Sequence, residues 1–467
     1  MPNTFRLQDV LTEFDDKITS ELNVDPLGLQ VIWSAYGQKI FRQRISSISN
    51  DVRNFTLNLF DHAVTKSLVE DDTMRLGRAL LNHPAHAGRG KDSAAFKQAC
   101  LIYLENLFAF TMVEAQDRPG VETGGILGIA KARRRWEETR GAPTLLFSAD
   151  PKAHVLVRQN SLGVSGRYKT PLAEMKFFGP GHDYTLPESQ GPWQAAERQL
   201  FSTTSLGSLR RQLVGHLQTL LASEEREPRI GFKEVPAPLR KSLVEAFRSR
   251  AAVGHQTRNF WLGVTELDRG APGAIYNVLN DDRLPDGGLP TSTIFDLAAR
   301  RGSLEPSERD KLNRVRLLEP FLAELDLLLQ LVLSAKSQTV DDVLGKWTVL
   351  GRGGDTLPKA AARIDAAPDM QLQVAGTAAA RLKRLLEISR SSDMRTQVRQ
   401  LVAYHGSIME DRRQPPWVRL VREEQLKVDV GTRPLPDESS RPPGAWVHQY
   451  YIPQFRNLLL GLRGVDA

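Results

Sequence analysis

LNRVRLLEPFLAELDLLLQLVLSAK, Leu312–Lys336, is apolar around most of its circumference between Leu317 and Leu333. An amphipathic surface helix shows a stripe; a helix that is apolar all round belongs in the middle of a bundle, covered by several neighbours. The run predicts a helix from near Ser307, with Pro320 expected to kink or divide it. Its apolar core, Leu327–Ala335, is too short to cross a bilayer. Its acids, Glu319, Glu324 and Asp326, are expected to face solvent or to pair with Arg314, Arg316 or Lys336. Just beyond it, Thr339-Val-Asp-Asp342 has the outline of a capping box.

Helical periodicity recurs upstream. Val31, Ile32, Ala35, Ile40, Phe41, Ile45 and Ile48 form one stripe, and Val52, Phe55, Leu57, Leu59 and Phe60 begin another. Ser93 stands where it would cap a third helix carrying Phe96, Cys100, Tyr103, Leu104, Leu107 and Phe108. After Gln116 the texture turns to glycine, basic residues and two short strand-like runs, Leu145–Ser148 and His154–Val157. Helix resumes near Trp193, LRRQLVGHLQTLLASEE continues it, and LRKSLVEAFRSRAAV predicts one further helix. DRGAPGAIYNVLNDDRLPDGGLPT reads as turns, and WVRLVREEQLKVDV as two strands around Glu423-Glu424. The fold expected is mainly α: a multi-helix, bundle-like body with a smaller mixed or irregular middle region and a short C-terminal β segment. The expected division is a helical domain over 1–116 and a mixed, glycine-rich, basic region over 117–230. A second helical domain follows over 231–430, then a linker with a docked aromatic tail over 431–467. In that tail Trp446, Tyr450, Tyr451 and Phe455 are too dense in aromatics to be left in water.

Composition narrows the chemistry. The 467 residues include 62 Lys and Arg against 55 Asp and Glu, a formal charge of +7. A single cysteine, Cys100, excludes an intramolecular disulfide and a zinc site built on cysteine pairs, and fits a reducing compartment. MPNTFRLQDVLTEFDD has early acids and no apolar leader core, so a cytoplasmic location is expected. The glycine pieces GRGGDTLPK (351–359) and GVETGGILG (120–128) lack the Gly-Lys-Ser/Thr ending that brings lysine to phosphates and a hydroxyl to magnesium. No G-x-S-x-G elbow is present, and Ser165 in GVSGRY reads as a turn residue. His83 and His86 in HPAH are near neighbours but have no cysteine beside them, so no metal site is assigned there.

Two constellations remain. Lys131, Arg133, Arg134 and Arg135 lie together; Arg167 and Lys169 stand in a second basic stretch; Arg381, Lys383 and Arg384 open a third on a helix. Such faces line phosphate backbones in salt-sensitive fashion. The second constellation lies around His182-Asp183 in GPGHDY, where Asp150, Lys169, Glu174 and Asp183 would be the catalytic set of a divergent nuclease over residues 150–183 using Mg or Mn. The favoured expectation is a non-catalytic subunit that binds other protein subunits and contacts DNA or RNA through phosphates, with no cofactor and no membrane span. A bacterial defence or genome-maintenance system is the setting that would use such a part.

Overall fold

The computed structural model describes residues 25–46, 50–82, 90–281, 288–367, 369–422, 424–437 and 439–464. The first 24 residues of the helical domain expected over 1–116, Ile48 of its first stripe, and the His83–His86 pair lie outside these. The structure is 63% helix and 5% strand, a helix-dominated fold with two small sheets among the described residues, as the sequence predicts.

In chain order the longer elements are α1 (Leu29–Phe41), α2 (Val52–Glu70), α3 (Ala94–Glu114), α4 (Ile129–Glu138), β1 (Thr144–Leu146), α5 (Ser205–Leu221) and β2 (Arg229–Gly231). They continue with α6 (Ala237–Phe247), α7 (Arg250–Thr265), α8 (Gly270–Leu279), α9 (Thr291–Ala299), α10 (Pro306–Val332), β3 (Ser337–Thr339), α11 (Val340–Val349) and α12 (Thr356–Asp365). The last are α13 (Gly376–Ser389), α14 (Met394–Asp411), β4 (Val418–Arg422), β5 (Gln425–Val428) and α15 (Ile452–Arg463). The chain divides into two compact units. Unit 1 holds Arg42–Leu267 and the stretch beginning at Pro453; unit 2 holds the stretch ending at Phe41 and Asp268–Ile452.

In unit 2, α10 is the central helix, and Leu318, Phe321, Leu322, Leu325, Leu327, Leu328, Leu331 and Val332 are all fully enclosed. Pro320 sits inside it without dividing it. Its acids correct the sequence reading: Glu319 and Glu324 are buried, and none of the three acids pairs with Arg314, Arg316 or Lys336. Glu324 accepts a two-pronged bond from Arg352 (3.0 and 2.9 Å), and Asp326 pairs with Arg441 at 3.1 Å. Glu319 accepts from the backbone N–H of Val447 and His448 and from the Tyr450 hydroxyl. These partners are distant in sequence, and a buried carboxylate needs bonded partners, which solvent-edge residues could not supply. The start of GRGGDTLPK, 351–355, is thus the turn that delivers Arg352 to Glu324, and Thr356 begins α12. Of the aromatic tail residues in this unit, Tyr450 is fully buried, Tyr451 nearly so, and Trp446 is half-buried; Phe455, which belongs to unit 1, is fully buried there.

The capping box forms as read: Thr339 Oγ1 accepts from Asp342 N, and Asp342 accepts from Thr339 N. The tail strands also form, with β5 between β3 and β4, all antiparallel. Two other segments differ. DRGAPGAIYNVLN forms helix α8 with Pro272 in its first turn, where a missing N–H costs nothing. LRKSLVEAFRSRAAV breaks into α6 and α7, because Ser249 turns extended and caps α7 through Ala252 N.

Unit 1 is built on α2, whose residues are buried from Val52 to Thr65. It packs on α3, α5 and α7, and α4 packs on α3. Ser93 caps α3, accepting from Phe96 N at 3.1 Å. A two-stranded sheet pairs Leu145 with Ile230. His154–Val157 is no strand, contrary to the sequence reading. The N–H groups of Val155 and Leu156 bond to the Gln159 side chain in place of a ladder partner, and Val157 is 72% exposed. Among the described residues, no helix is long and apolar enough to cross a membrane.

Candidate functional site

Helix α2 carries its polar residues inward. Arg53, beside the N-cap Asp51, reaches out of the helix to the glycine-containing stretch 120–128. It donates through Nη1 to Glu122 O (2.6 Å) and through Nη2 to Gly124 O, while Asn54 donates to Gly125 O. The glycine loop is therefore clamped by its own unit and leads directly into α4.

Further along α2, His62 is fully buried, and its Nδ1 lies 2.8 Å from the Tyr184 hydroxyl. The residue facing it is His182, carried by the turn Gly179-Pro-Gly-His-Asp183. Gly179 and Asp183 close this turn as a bridge. Gly181 (φ 67°) and His182 (φ 56°) both lie in the left-handed region, and the second position is unfavourable for a residue with a Cβ. The reversal drives the His182 ring inward, 5.1 Å from His62 and 5.2 Å from Phe178 between centroids. His62 Nε2 and His182 Nδ1 are buried without a hydrogen-bond partner. Burial holds both imidazoles in the neutral form. His182 is lowered to about 4, with Lys169 and Lys97 adding to the effect. His62 falls well below its ordinary range through burial, then through His182 and Lys169.

Two carboxyls of the same unit are also buried. Glu105 accepts from Ser165 N (2.7 Å) and Gln159 Nε2 (3.0 Å). Ser165 is thus buried inside a helical turn, where the sequence suggested a flexible one. Asp61 has a carboxylate oxygen without a partner, and burial, with Glu105 nearby, pushes its pKa well above the ordinary range. Burial likewise pushes the Cys100 thiol up, so it is a core residue and not a nucleophile.

The structure places the nuclease candidates apart in role. Asp150 and Glu174 are exposed, and Asp150 lies 4.0 Å from Lys152. Asp183 is half-buried, and its carboxylate accepts from Thr185 N and Oγ1, which lowers its pKa. Among the described residues, no group of three or more His, Cys, Asp or Glu side chains is placed to hold a metal ion. Lys169 adds to the lowering of both buried histidines.

The basic stretches are also resolved. On α4, Ala132 is the one buried residue, and Lys131, Arg134 and Arg135 are exposed. Arg133 is turned inward, donating to Gln116 and Thr123, and Arg134 pairs with Glu138 at 2.9 Å. Trp136 anchors the helix 5.3 Å from Phe232. Arg167 is half-buried and Lys169 exposed. In unit 2, Arg381 is half-buried and donates to Gly28 O, Arg384 pairs with Glu387, and Lys383 is exposed. Sequence reading did not mark an open polar cleft of about 590 Å³ in unit 1, lined among others by Ser205, Arg248, His255, Gln256 and Arg463. Its residues come from α5, α7, α15 and their flanks, so no local pattern announces it.

Comparison of the chain with family models, with curated proteins and with solved structures finds no match.

Proposed function

We propose that this chain is a non-catalytic subunit of a multiprotein bacterial assembly, a defence or genome-maintenance system in the cytoplasm, that contacts DNA or RNA through its phosphate backbone. The observation that carries the reading is α4. A ten-residue helix that buries only Ala132 and turns Lys131, Arg134 and Arg135 to water contributes little to the core. Cations spaced along one exposed helix match a row of phosphates and carry no element that reads base edges. The Arg53 clamp on the loop before α4 and the Trp136 anchor fix the helix in place, so little ordering is left for binding. Arg248 and Arg463 in the open cleft add cationic surface to the same unit. Lys383 offers a further cation in unit 2.

The test is a titration of labelled single- and double-stranded DNA and RNA at two salt concentrations, repeated with Mg or Mn and checked for cleavage. Salt-sensitive binding without cleavage, weakened when Lys131, Arg134 and Arg135 are reversed to Glu, supports the reading. Metal-dependent cleavage lost in Asp183→Ala would replace it with a nuclease. Absence of binding at low salt would leave only the protein-interaction role.

A further inference from the structure

The open cleft of unit 1, about 590 Å³, is assembled from three places in the chain. Ser205 opens α5, Glu245 and Arg248 close α6, and His255 lies in the second turn of α7, beside Arg463 at the end of α15. The end of α15 rests on the start of α7. A Cβ built on Gly464 would stand 3.5 Å from Ala251 O and 3.9 Å from His255 Cβ. Helix packing thus brings Arg248 and Arg463, distant in sequence, to one cavity.

The cationic charge in this cavity is uncommitted. Arg210 and Arg240 of the same unit are paired, with Glu197 and Glu114. The guanidinium groups of Arg248 and Arg463 form no ion pair or hydrogen bond with a described residue. Glu245 is exposed in the same lining and pairs with neither. The lining offers no aromatic ring on which a base could stack. Its apolar side chains are two alanines, too little for the apolar centre of a protein interface. What remains is recognition of oxyanions, for which the guanidinium fork is suited.

The cleft is joined to α4 by the glycine-containing stretch 120–128. Glu122 N donates to Arg248 O at 2.7 Å, and the Glu122 carboxylate accepts from Arg250 N at 3.4 Å. From Glu122 to Lys131 on α4 the chain reaches at most about 32 Å, even fully extended. A stacked strand rises about 3.4 Å per nucleotide, so about ten nucleotides cover that distance.

We propose, resting on the α4 reading, that Arg248 and Arg463 make the cleft a second phosphate site for the same single strand that lies on α4. A strand held at α4 meets the cleft as an intramolecular event, so affinity climbs once the strand is long enough to reach both.

The experiment uses the full chain and labelled oligothymidylates of about 5, 10 and 20 nucleotides, read by fluorescence anisotropy at two salt concentrations. The variants are Arg248→Gln/Arg463→Gln, Glu245→Gln, and the α4 control Lys131→Glu/Arg134→Glu/Arg135→Glu. Polyglutamate of about 20 residues is the competitor that separates carboxylate from phosphate recognition. Melting temperature checks folding; the three cleft side chains have no partners to lose, so it should not move.

The wild type should gain affinity steeply with length. Arg248→Gln/Arg463→Gln should flatten that gain, weaken the longest strand roughly tenfold and lower its salt slope by about 1.4, two phosphates at about 0.7 each. Glu245→Gln removes a repelling charge and should tighten the longest strand about threefold, a gain that misfolding cannot produce. Unchanged binding in both cleft variants, with the α4 control weakened, overturns the cleft and leaves the α4 reading standing. Cleft variants that act while the α4 control binds as the wild type does overturn the α4 reading and the shared strand with it. Equal weakening at every length also overturns the shared strand. Competition by polyglutamate as tight as the strand's own binding, lost in Arg248→Gln/Arg463→Gln, overturns phosphate as the ligand in favour of an acidic protein segment. No binding of any strand to the wild type overturns both sites.

Discussion

Replacing Glu319 with Ala should free the segment Ala445–Tyr451 from unit 2. The fully enclosed carboxylate accepts from Val447 N (2.6 Å), His448 N (2.8 Å) and the Tyr450 hydroxyl (2.8 Å). It also holds a strained path, because Tyr450 (φ 44°) and Tyr451 (φ 63°) are consecutive left-handed residues that are not glycine. Each unsatisfied buried group costs about 1–3 kcal/mol. Val447 is 38% exposed, so water recovers part of the backbone loss, while Tyr450 is closed off entirely. Relief of the backbone strain adds to the drive for release. The net cost works out at about 3 kcal/mol, a rise of roughly a hundredfold in amide exchange over residues 445–451. Hydrogen exchange with mass spectrometry on the intact chain at pH 6 reads this locally, without assuming two-state unfolding. Glu319→Gln keeps an acceptor for both N–H groups and should cost about 1 kcal/mol, roughly a fivefold rise. Unchanged exchange over 445–451 in Glu319→Ala would refute the reasoning.

The same carboxyl predicts a pH response. Burial raises Glu319 to about 7 from an ordinary 4.5, opposed by the bonds from His448, Val447 and Tyr450. The native state then keeps a proton that the unfolded state has lost, so stability falls as pH rises from about 4.5 to about 7 and levels off above; the size is about 3 kcal/mol, and Glu319→Gln should flatten that slope in denaturation at pH 5 and 8. Arg352→Ala strands Glu324 and should cost about 3–5 kcal/mol, whereas Arg352→Met with Glu324→Leu should lie near the wild type, as chemical denaturation of the three proteins will show. Gly254 sits where an added Cβ would come within 1.7 Å of Gly461 O, so Gly254→Ala must part α7 from α15 and should cost about 1–3 kcal/mol in melting experiments.

The helices were legible because their signals are local. Ser93 and the Thr339–Asp342 box announce starts, and the apolar circumference of α10 announces its central place. Two misreadings came from local signals that longer contacts override. GAPG reads as turn chemistry, yet its proline falls in the first turn of α8, and the paired bonds to Gln159 replace a strand at 154–157. On α2 the apolar positions were legible, but Asn54, Asn58, Asp61 and His62 are enclosed as well, and nothing in a single helical stripe predicts that. The histidine pair joins residues 62 and 182, so only the odd composition of GPGHDY pointed toward it. The basic stretches were legible as composition alone. Arg133 and Arg381, equal to their neighbours in sequence, are committed to internal bonds.

The most direct test of the nucleic-acid reading is the salt dependence of affinity for a long single-stranded DNA, compared between the wild type and Lys131→Glu/Arg134→Glu/Arg135→Glu. Each phosphate left without its protein cation should lower the slope of log affinity against log salt by about 0.7. With three exposed cations reversed on α4, the account predicts a slope shallower by about 2 and weaker binding at low salt, with melting temperature unchanged because these side chains support no core. An unchanged slope and affinity in a variant that folds normally would contradict it.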